Sequence, residues 1–218
     1  MNLTVMKDGQ NIDQFTANTA EEAREYVLAR FGEVLTVVDN DNKVIVRPYN
    51  FELKNVKYAA FASEETHCFE ATLYVNGKRF CTVSNEGHGG ENRYHGVKGG
   101  IPQNEVWKQI KEINRALKNE KLESEYFPDG LENDLEIEVG NLMNRWHLVN
   151  DVKKLTRKIC YTKGDDTKDI FVLPSKFKPT LKNLEAVKNS DWWKKDFRMV
   201  NEMSVDEILT LDYFSDVA

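Results

Sequence analysis

The stretch CFEATLYVNGKRFCTVSN, Cys68 to Asn85, decides how the chain is read. Asn76-Gly77 is the preferred dipeptide of a two-residue type I′ turn, so two antiparallel strands are expected to flank it. Straight pairing from that turn sets Val75 opposite Lys78, Leu73 opposite Phe80, Ala71 opposite Thr82 and Phe69 opposite Ser84. Directly opposed residues share a face. Phe69, Ala71, Leu73, Val75 and Phe80 therefore form one apolar face, and Glu70, Thr72, Tyr74, Arg79 and Cys81 the other. In that register Cys68 lies opposite Asn85, four positions from Cys81. The spacing exceeds about 13 Å, too far for a disulfide.

Beyond the ribbon comes SNEGHGGENRYHGVKGG, Ser84 to Gly100. It carries six of the twelve glycines and two of the four histidines. So loose and polar a backbone, with little to bury, predicts a surface loop, 84–100, that contacts another molecule.

Upstream, residues 1–49 read as a small ββαββ unit. Hairpins are expected at Asp8-Gly9 and at Asp39 to Asn42, with a helix between them. Thr19 and Glu22 suit a capping box, and Gly32 falls where a helix C′ residue belongs. VKYAAFAS reads as a strand. Downstream, Pro102 opens a helix with Val106, Ile110, Ile113 and Leu117 on its buried face. FPDG ends that segment. A longer helix is expected from about Leu131 to Lys158, acidic at its start and basic at its end, as the macrodipole favours. A hairpin turning at Gly164-Asp165-Asp166, a short helix in KPTLKNLEAVKNS, a strand in KDFRMVNEM and a helix capped by Ser204 complete the chain. Hairpins and helices without βαβ alternation predict an α+β fold: the small unit, then a larger mixed domain over 50–218 with antiparallel hairpins and two longer helices.

Thirty basic residues against 36 acidic ones give a net charge of −6. A general duplex or RNA binder carries a basic excess, so direct nucleic-acid binding is not favoured. Three cysteines, an odd and sparse count, suit free thiols in a reducing compartment. No apolar run approaches the length of a membrane helix and no leader is visible, so a cytoplasmic protein without a membrane partner is expected.

The segment SEETHCFEATLYVNGKRFCTVSNEGHGGENRYH, Ser63 to His95, resembles a motif of small hypothetical proteins of phages, plasmids and their bacterial hosts: Ser-Glu-Glu-Thr, then Phe-x-Ala-x-Leu-Tyr-x-Asn-Gly-Lys, then Ser-Asn-x-Gly-x-Gly-Gly and Tyr-His. The likeness extends over about 51–215 and leaves out the N-terminal unit. It implies an intracellular accessory protein of phage or mobile-element origin, and it supplies no catalytic residues.

The residues themselves bear on several chemistries. His67, His88 and His95, with Glu64, Glu65, Glu86 or Glu91, offer imidazole and carboxylate ligands that suit zinc or manganese. In the straight register His67 lies opposite Glu86, which brings the strand ends together where the glycine loop starts. The spacing matches no zinc-finger or His-Glu-x-x-His signature. Cys68 and His67 are neighbours on a strand and point to opposite faces, which disfavours a Cys–His pair. The glycines lack both phosphate-loop patterns. Trp192 and Trp193 are adjacent and cannot both face one core: one exposed beside Lys194 and Lys195 suits a protein interface or a base-stacking site, and the alternative is that both are buried against different elements.

The expected function is an accessory protein that needs no cofactor. It binds and modulates a host protein, such as an enzyme of antiviral defence or nucleic-acid processing. Contacts are expected from Asn85, His88, Glu91, Arg93, Tyr94, His95, Trp192 and Trp193. The alternative is a metal-dependent hydrolase or nuclease centred on His67, His88 and His95.

Overall fold

The computed structural model describes residues 1–122, 130–164 and 166–215. The chain divides into two compact units, Met1–Leu142 and Met143–Ala218. Both combine helices with antiparallel sheets, an α+β fold.

The first unit opens with β1 (Asn2–Lys7), β2 (Gln10–Thr16), α1 (Ala20–Phe31), β3 (Thr36–Val38) and β4 (Val44–Val46). The strands form one sheet in the order β2-β1-β3-β4. Leu3, Val5 and Val37 from the sheet and Ala23 and Val27 from α1 make its core. Thr19 caps α1 by accepting from the Glu22 amide at 3.1 Å, and Gly32 adopts a left-handed conformation at the other end. The Glu22 carboxylate accepts from the Asn18 amide, one residue short of the expected reciprocal bond.

A second sheet comes next as a meander, β5-β6-β7-β8. Its strands are β5 (Phe51–Tyr58), β6 (Phe69–Val75), β7 (Lys78–Asn85) and β8 (Arg93–Gly96). The expected strand at VKYAAFAS is shifted: β5 starts at Phe51, and Ala60–Ala62 wind into a 3-10 turn. The Asn76-Gly77 turn forms, with φ of 49° and 73°, as type I′ demands.

The expected ribbon register holds only next to the turn. Val75 faces Lys78 and Tyr74 faces Arg79, but Leu73 then faces Cys81, Ala71 faces Val83 and Phe69 faces Asn85. Phe80 is the extra residue of a β-bulge. The reason lies in KRFCTVSN itself. Unbroken alternation would bury Phe80 and leave Cys81 and Val83 outside. One bulge turns all three inward, and their exposures are 5%, 0% and 0%.

Four elements close the first unit. These are α2 (Gln103–Leu117), the short pair β9 (Lys121–Leu122) and β10 (Leu131–Glu132), and α3 (Leu135–Leu155), whose later turns belong to the second unit. The long helix is thus shorter than expected at both ends. Leu131 and Glu132 are drawn into the ladder with β9, and the chain turns off after Leu155. Within FPDG, Phe127, Pro128 and Asp129 lie outside the described residues.

The sheet over residues 1–49 is tied to later elements of its own unit. Asp8, at its hairpin tip, pairs with Arg115 of α2, and the Gly9 amide donates to Asn119 Oδ1 at 2.6 Å. Asn76 Nδ2 donates to the Pro48 carbonyl, and Arg47 bridges Glu120 and Glu138.

In the second unit β11 (Cys160–Lys163), β12 (Asp166–Val172) and β13 (Phe197–Met199) form a sheet in the order β12-β11-β13. The expected hairpin is present, with Asp165 of its turn outside the described residues. α4 (Leu181–Lys188) starts at Thr180, whose side chain accepts from Asn183. α5 (Val205–Leu209) carries the complete Ser204–Glu207 capping box, and α6 (Asp212–Ser215) comes after it. Two cores hold this unit: Val152, Cys160, Val200, Ile208, Leu211 and Phe214 in one, and Ile159, Leu184 and Met199, with Trp193 against them, in the other. No helix among the described residues is long and apolar enough to cross a membrane.

Candidate functional site

The glycine-rich segment is less loose than its composition suggests. Residues 86–92 form a loop, but Arg93–Gly96 pair with β7 as the edge strand β8. Both ends of that strand are sealed along its free side. The Asn92 amide donates to Glu136 Oε2 at 3.0 Å, and the Gly96 amide donates to Gln103 Oε1 at 2.7 Å. Side chains from the two helices thus occupy donors that an incoming strand would need.

The loop is knotted from within. Asn85, 9% exposed, commits its amide to the loop itself: Nδ2 donates to the Gly90 carbonyl at 2.8 Å and to Asn92 Oδ1 at 3.2 Å. Its Oδ1 accepts from the Gly87 amide and the Thr66 hydroxyl, at 2.9 and 2.8 Å. The Gly87 carbonyl in turn collects three successive amides, from Glu64, Glu65 and Thr66, at 3.0, 3.0 and 3.3 Å. Gly87 has φ +89°, and a Cβ there would stand 2.0 Å from the Ala62 carbonyl oxygen. Only glycine fits that approach. Ser63 completes the clamp, its hydroxyl accepting from the Cys68 amide at 2.8 Å.

Glu136 of α3 is the external anchor. One oxygen accepts from the backbone and side chain of Asn92, and the other from the Tyr94 hydroxyl at 2.6 Å. Tyr94 is 3% exposed and meets Trp107 edge-on, with centroids 6.2 Å apart. Burial first, and the bond to a carboxylate second, push its phenol well above the ordinary tyrosine range. Two of the residues expected to touch a partner, Asn85 and Tyr94, therefore face inward and hold the loop in place. The amide of one and the hydroxyl of the other serve as its polar anchors.

The other expected contact residues of this segment point outward. His88, Glu91, Arg93 and His95 are all exposed. His88 Nδ1 lies 3.2 Å from Glu64 Oε2, and Arg93 forms a two-pronged pair with Glu86. The expected metal set does not come together. His67 sits edge-on to Tyr58 at 5.9 Å, His88 turns to Glu64, and His95 occupies β8 opposite Thr82. The bulge is the cause, because the ladder ends with Phe69 facing Asn85 and His67 never pairs with Glu86. Among the described residues no three His, Cys, Asp or Glu side chains gather closely enough to hold a metal ion.

Two clusters go beyond what the sequence foretells. Arg47 Nη2 lies 2.7 Å from Glu120 Oε2 and also reaches Glu138, while Asn133 Nδ2 donates to Glu138 at 2.6 Å. Glu120 is 3% exposed, and burial pushes its carboxyl upward against the pull of Arg47. No local signal joins four positions spread over 91 residues. The second cluster lies in the other unit, where Tyr161, Phe171, Trp192, Trp193 and Phe197 bring their rings together. Trp192 is 45% exposed, whereas Trp193 leans on the core of Leu184 and Met199. The adjacent tryptophans are a visible signal. The other three rings are not, because Tyr161 and Phe171 stand far back in the chain and Phe197 is brought in by β13.

The free thiols behave as expected of separate cysteines. Cys68 is half-buried, and Cys81 and Cys160 are buried. Burial pushes the Cys81 thiol up to about 12 and the Cys160 thiol up to about 11. Neither is poised as a nucleophile.

Compared with family models, with curated proteins and with solved structures, the chain matches none.

Proposed function

We propose that this chain is an accessory protein of a phage or mobile element that binds a host protein in the cytoplasm and modulates it. The partner class is an enzyme of antiviral defence or of nucleic-acid processing. The observation that supports the reading is the tied loop. Asn85, the Gly87 carbonyl and Glu136 fix residues 86–92 from both sides, so His88, Glu91, Arg93 and His95 are carried outward on a pre-ordered backbone. A surface ordered before binding loses less entropy on association. The cellular setting rests on the motif from Ser63 to His95.

The test is capture from host lysate with the full chain and with a doubly altered chain, Arg93→Glu and His95→Ala. Both positions are exposed, so thermal melts of the two chains should coincide. One host protein is expected to co-elute in stoichiometric amount with the unaltered chain and to be lost with the altered one. Stoichiometric zinc or manganese in the purified chain, with a hydrolytic activity abolished by His88→Ala, would replace this reading with that of a metal-dependent hydrolase.

A further inference from the structure

The net charge of −6 hides an uneven distribution. Met1–Leu142 carries 16 basic and 24 acidic residues, and Met143–Ala218 carries 14 and 12. Within the second unit, basic and aromatic residues occur together in two runs, KFK at 176–178 and WWKKDFR at 192–198.

The sheet gathers the rings. Tyr161 of β11 stacks on Phe171 of β12 and on Phe197, each at 5.4 Å, with interplanar angles of 24° and 26°. Trp192 and Trp193 both lie 5.6 Å from Tyr161. Backbone bonds from Trp193 to Ser190 and from Phe197 to Lys194 fold this segment into two tight turns over the sheet. Trp193 closes the inner side and Trp192 stays open to solvent.

One cation touches the rings, and two more come next to the tryptophans in the chain. The Lys163 ammonium stands 3.7 Å from the Phe171 centroid. Lys194 and Lys195 are exposed, and among the described residues neither has a carboxylate partner. Lys188, by contrast, is held by Glu202. Within 191–198, Asp191 and Asp196 stand against Lys194, Lys195 and Arg198.

We propose that Trp192, backed by Tyr161 and followed in the chain by Lys194 and Lys195, is a stacking site for single-stranded nucleic acid. The exposed Trp192 ring offers stacking that any unpaired base can use, and the exposed lysines two and three residues on match the phosphates of the same strand. A duplex keeps its bases stacked inside and cannot use such a surface. This inference concerns the second unit and does not rest on the loop of the first.

The test uses the full chain with fluorescein-labelled oligothymidylate and oligouridylate, read by fluorescence anisotropy. Saturable binding of at least one strand is expected, and preference between them separates DNA from RNA. Trp192→Ala should weaken binding about tenfold or more, as removal of one stacked base implies, and Trp192→Phe should restore most of it. Lys194→Glu with Lys195→Glu should reduce the salt slope by about 1.4, at about 0.7 for each phosphate no longer neutralised. All three positions are exposed or half-exposed, and the Arg93→Glu, His95→Ala chain should bind strands normally. The proposal fails if neither strand binds at about 50 mM salt, if Trp192→Ala binds unchanged, or if a duplex of matching length binds as tightly. It also fails if vesicles of mixed phosphatidylserine and phosphatidylcholine bind through Trp192 while the strands do not.

Discussion

The glycine loop and the tryptophan cluster both stand at the surface, yet they are held by opposite means. The loop is built from backbone groups and short polar side chains, and hydrogen bonds with strict geometry fix it. The cluster is built from five rings that touch one another over a sheet, and contact area fixes it. The first arrangement fails when one atom is misplaced. The second tolerates change because any ring of similar size fills the gap. A directional scaffold suits a specific partner, and a ring surface suits a ligand of variable sequence.

Thiol labelling offers the widest separation between the two units. Cys81 lies in β7 of the loop-bearing sheet and Cys160 in β11 of the ring-bearing one, and both are buried with raised pKa values. In the native chain Cys68 should react first with a thiol reagent. Cys81 and Cys160 should lag by about a thousandfold or more, a thiolate population reduced by pKa and then shielded. Because each reports the opening of its own sheet, their two rates measure the stability of each unit separately. Equal rates for all three cysteines would show that neither sheet is closed.

Gly87→Ala tests the directional scaffold. The new methyl would collide with the Ala62 carbonyl, in a backbone region that side chains avoid, and should cost about 3 kcal/mol or more in a denaturant melt. A cost below about 1 kcal/mol would mean that the loop yields freely.

pH gives a smaller effect. Burial raises the folded pKa of Glu120, with Glu138 adding to it and Arg47 and Asn133 opposing. A carboxyl with a raised folded pKa holds its proton more tightly when folded. Its contribution is therefore complete below the unfolded value, about 4.3, and is lost as pH climbs through the folded value. Across that window the native chain should lose stability relative to Glu120→Gln, whose side chain cannot titrate. A rise instead would mean that the Arg47 pairing dominates.

The least effect is expected at the ring cluster. Trp192→Ala removes a half-exposed ring and should cost under about 1 kcal/mol in folding. A loss as large as that of Gly87→Ala would erase the contrast between the two regions.

Local chemistry was legible from sequence wherever one residue type has one use. Asn76-Gly77 fixed its turn type, and Ser204 and Glu207 their capping box, whereas the adjacent tryptophans left open whether one is exposed or both are buried. The bulge was legible in part. Phe80, Cys81 and Val83 break alternation, and that change of phase is the mark of one extra residue, but extending the turn register carried past it. The knot was not legible, because its parts are far apart in the chain. Gly87 meets residues about 20 positions earlier, and Asn92 and Tyr94 meet Glu136 more than 40 later. Glycine density predicted freedom, and positive φ angles were used instead to bring the backbone close to its neighbours.

Hydrogen exchange at the loop tests the central claim most directly. The amides of Glu64, Glu65, Thr66, Gly87 and Asn92 all donate within the knot. They should exchange far more slowly than an unstructured peptide, and Asn85→Ala should release Gly87, whose amide it accepts, while Asn92, held by Glu136, and β6 and β7 stay protected. Exchange of those five amides at unprotected rates in the unaltered chain would contradict the pre-ordered loop.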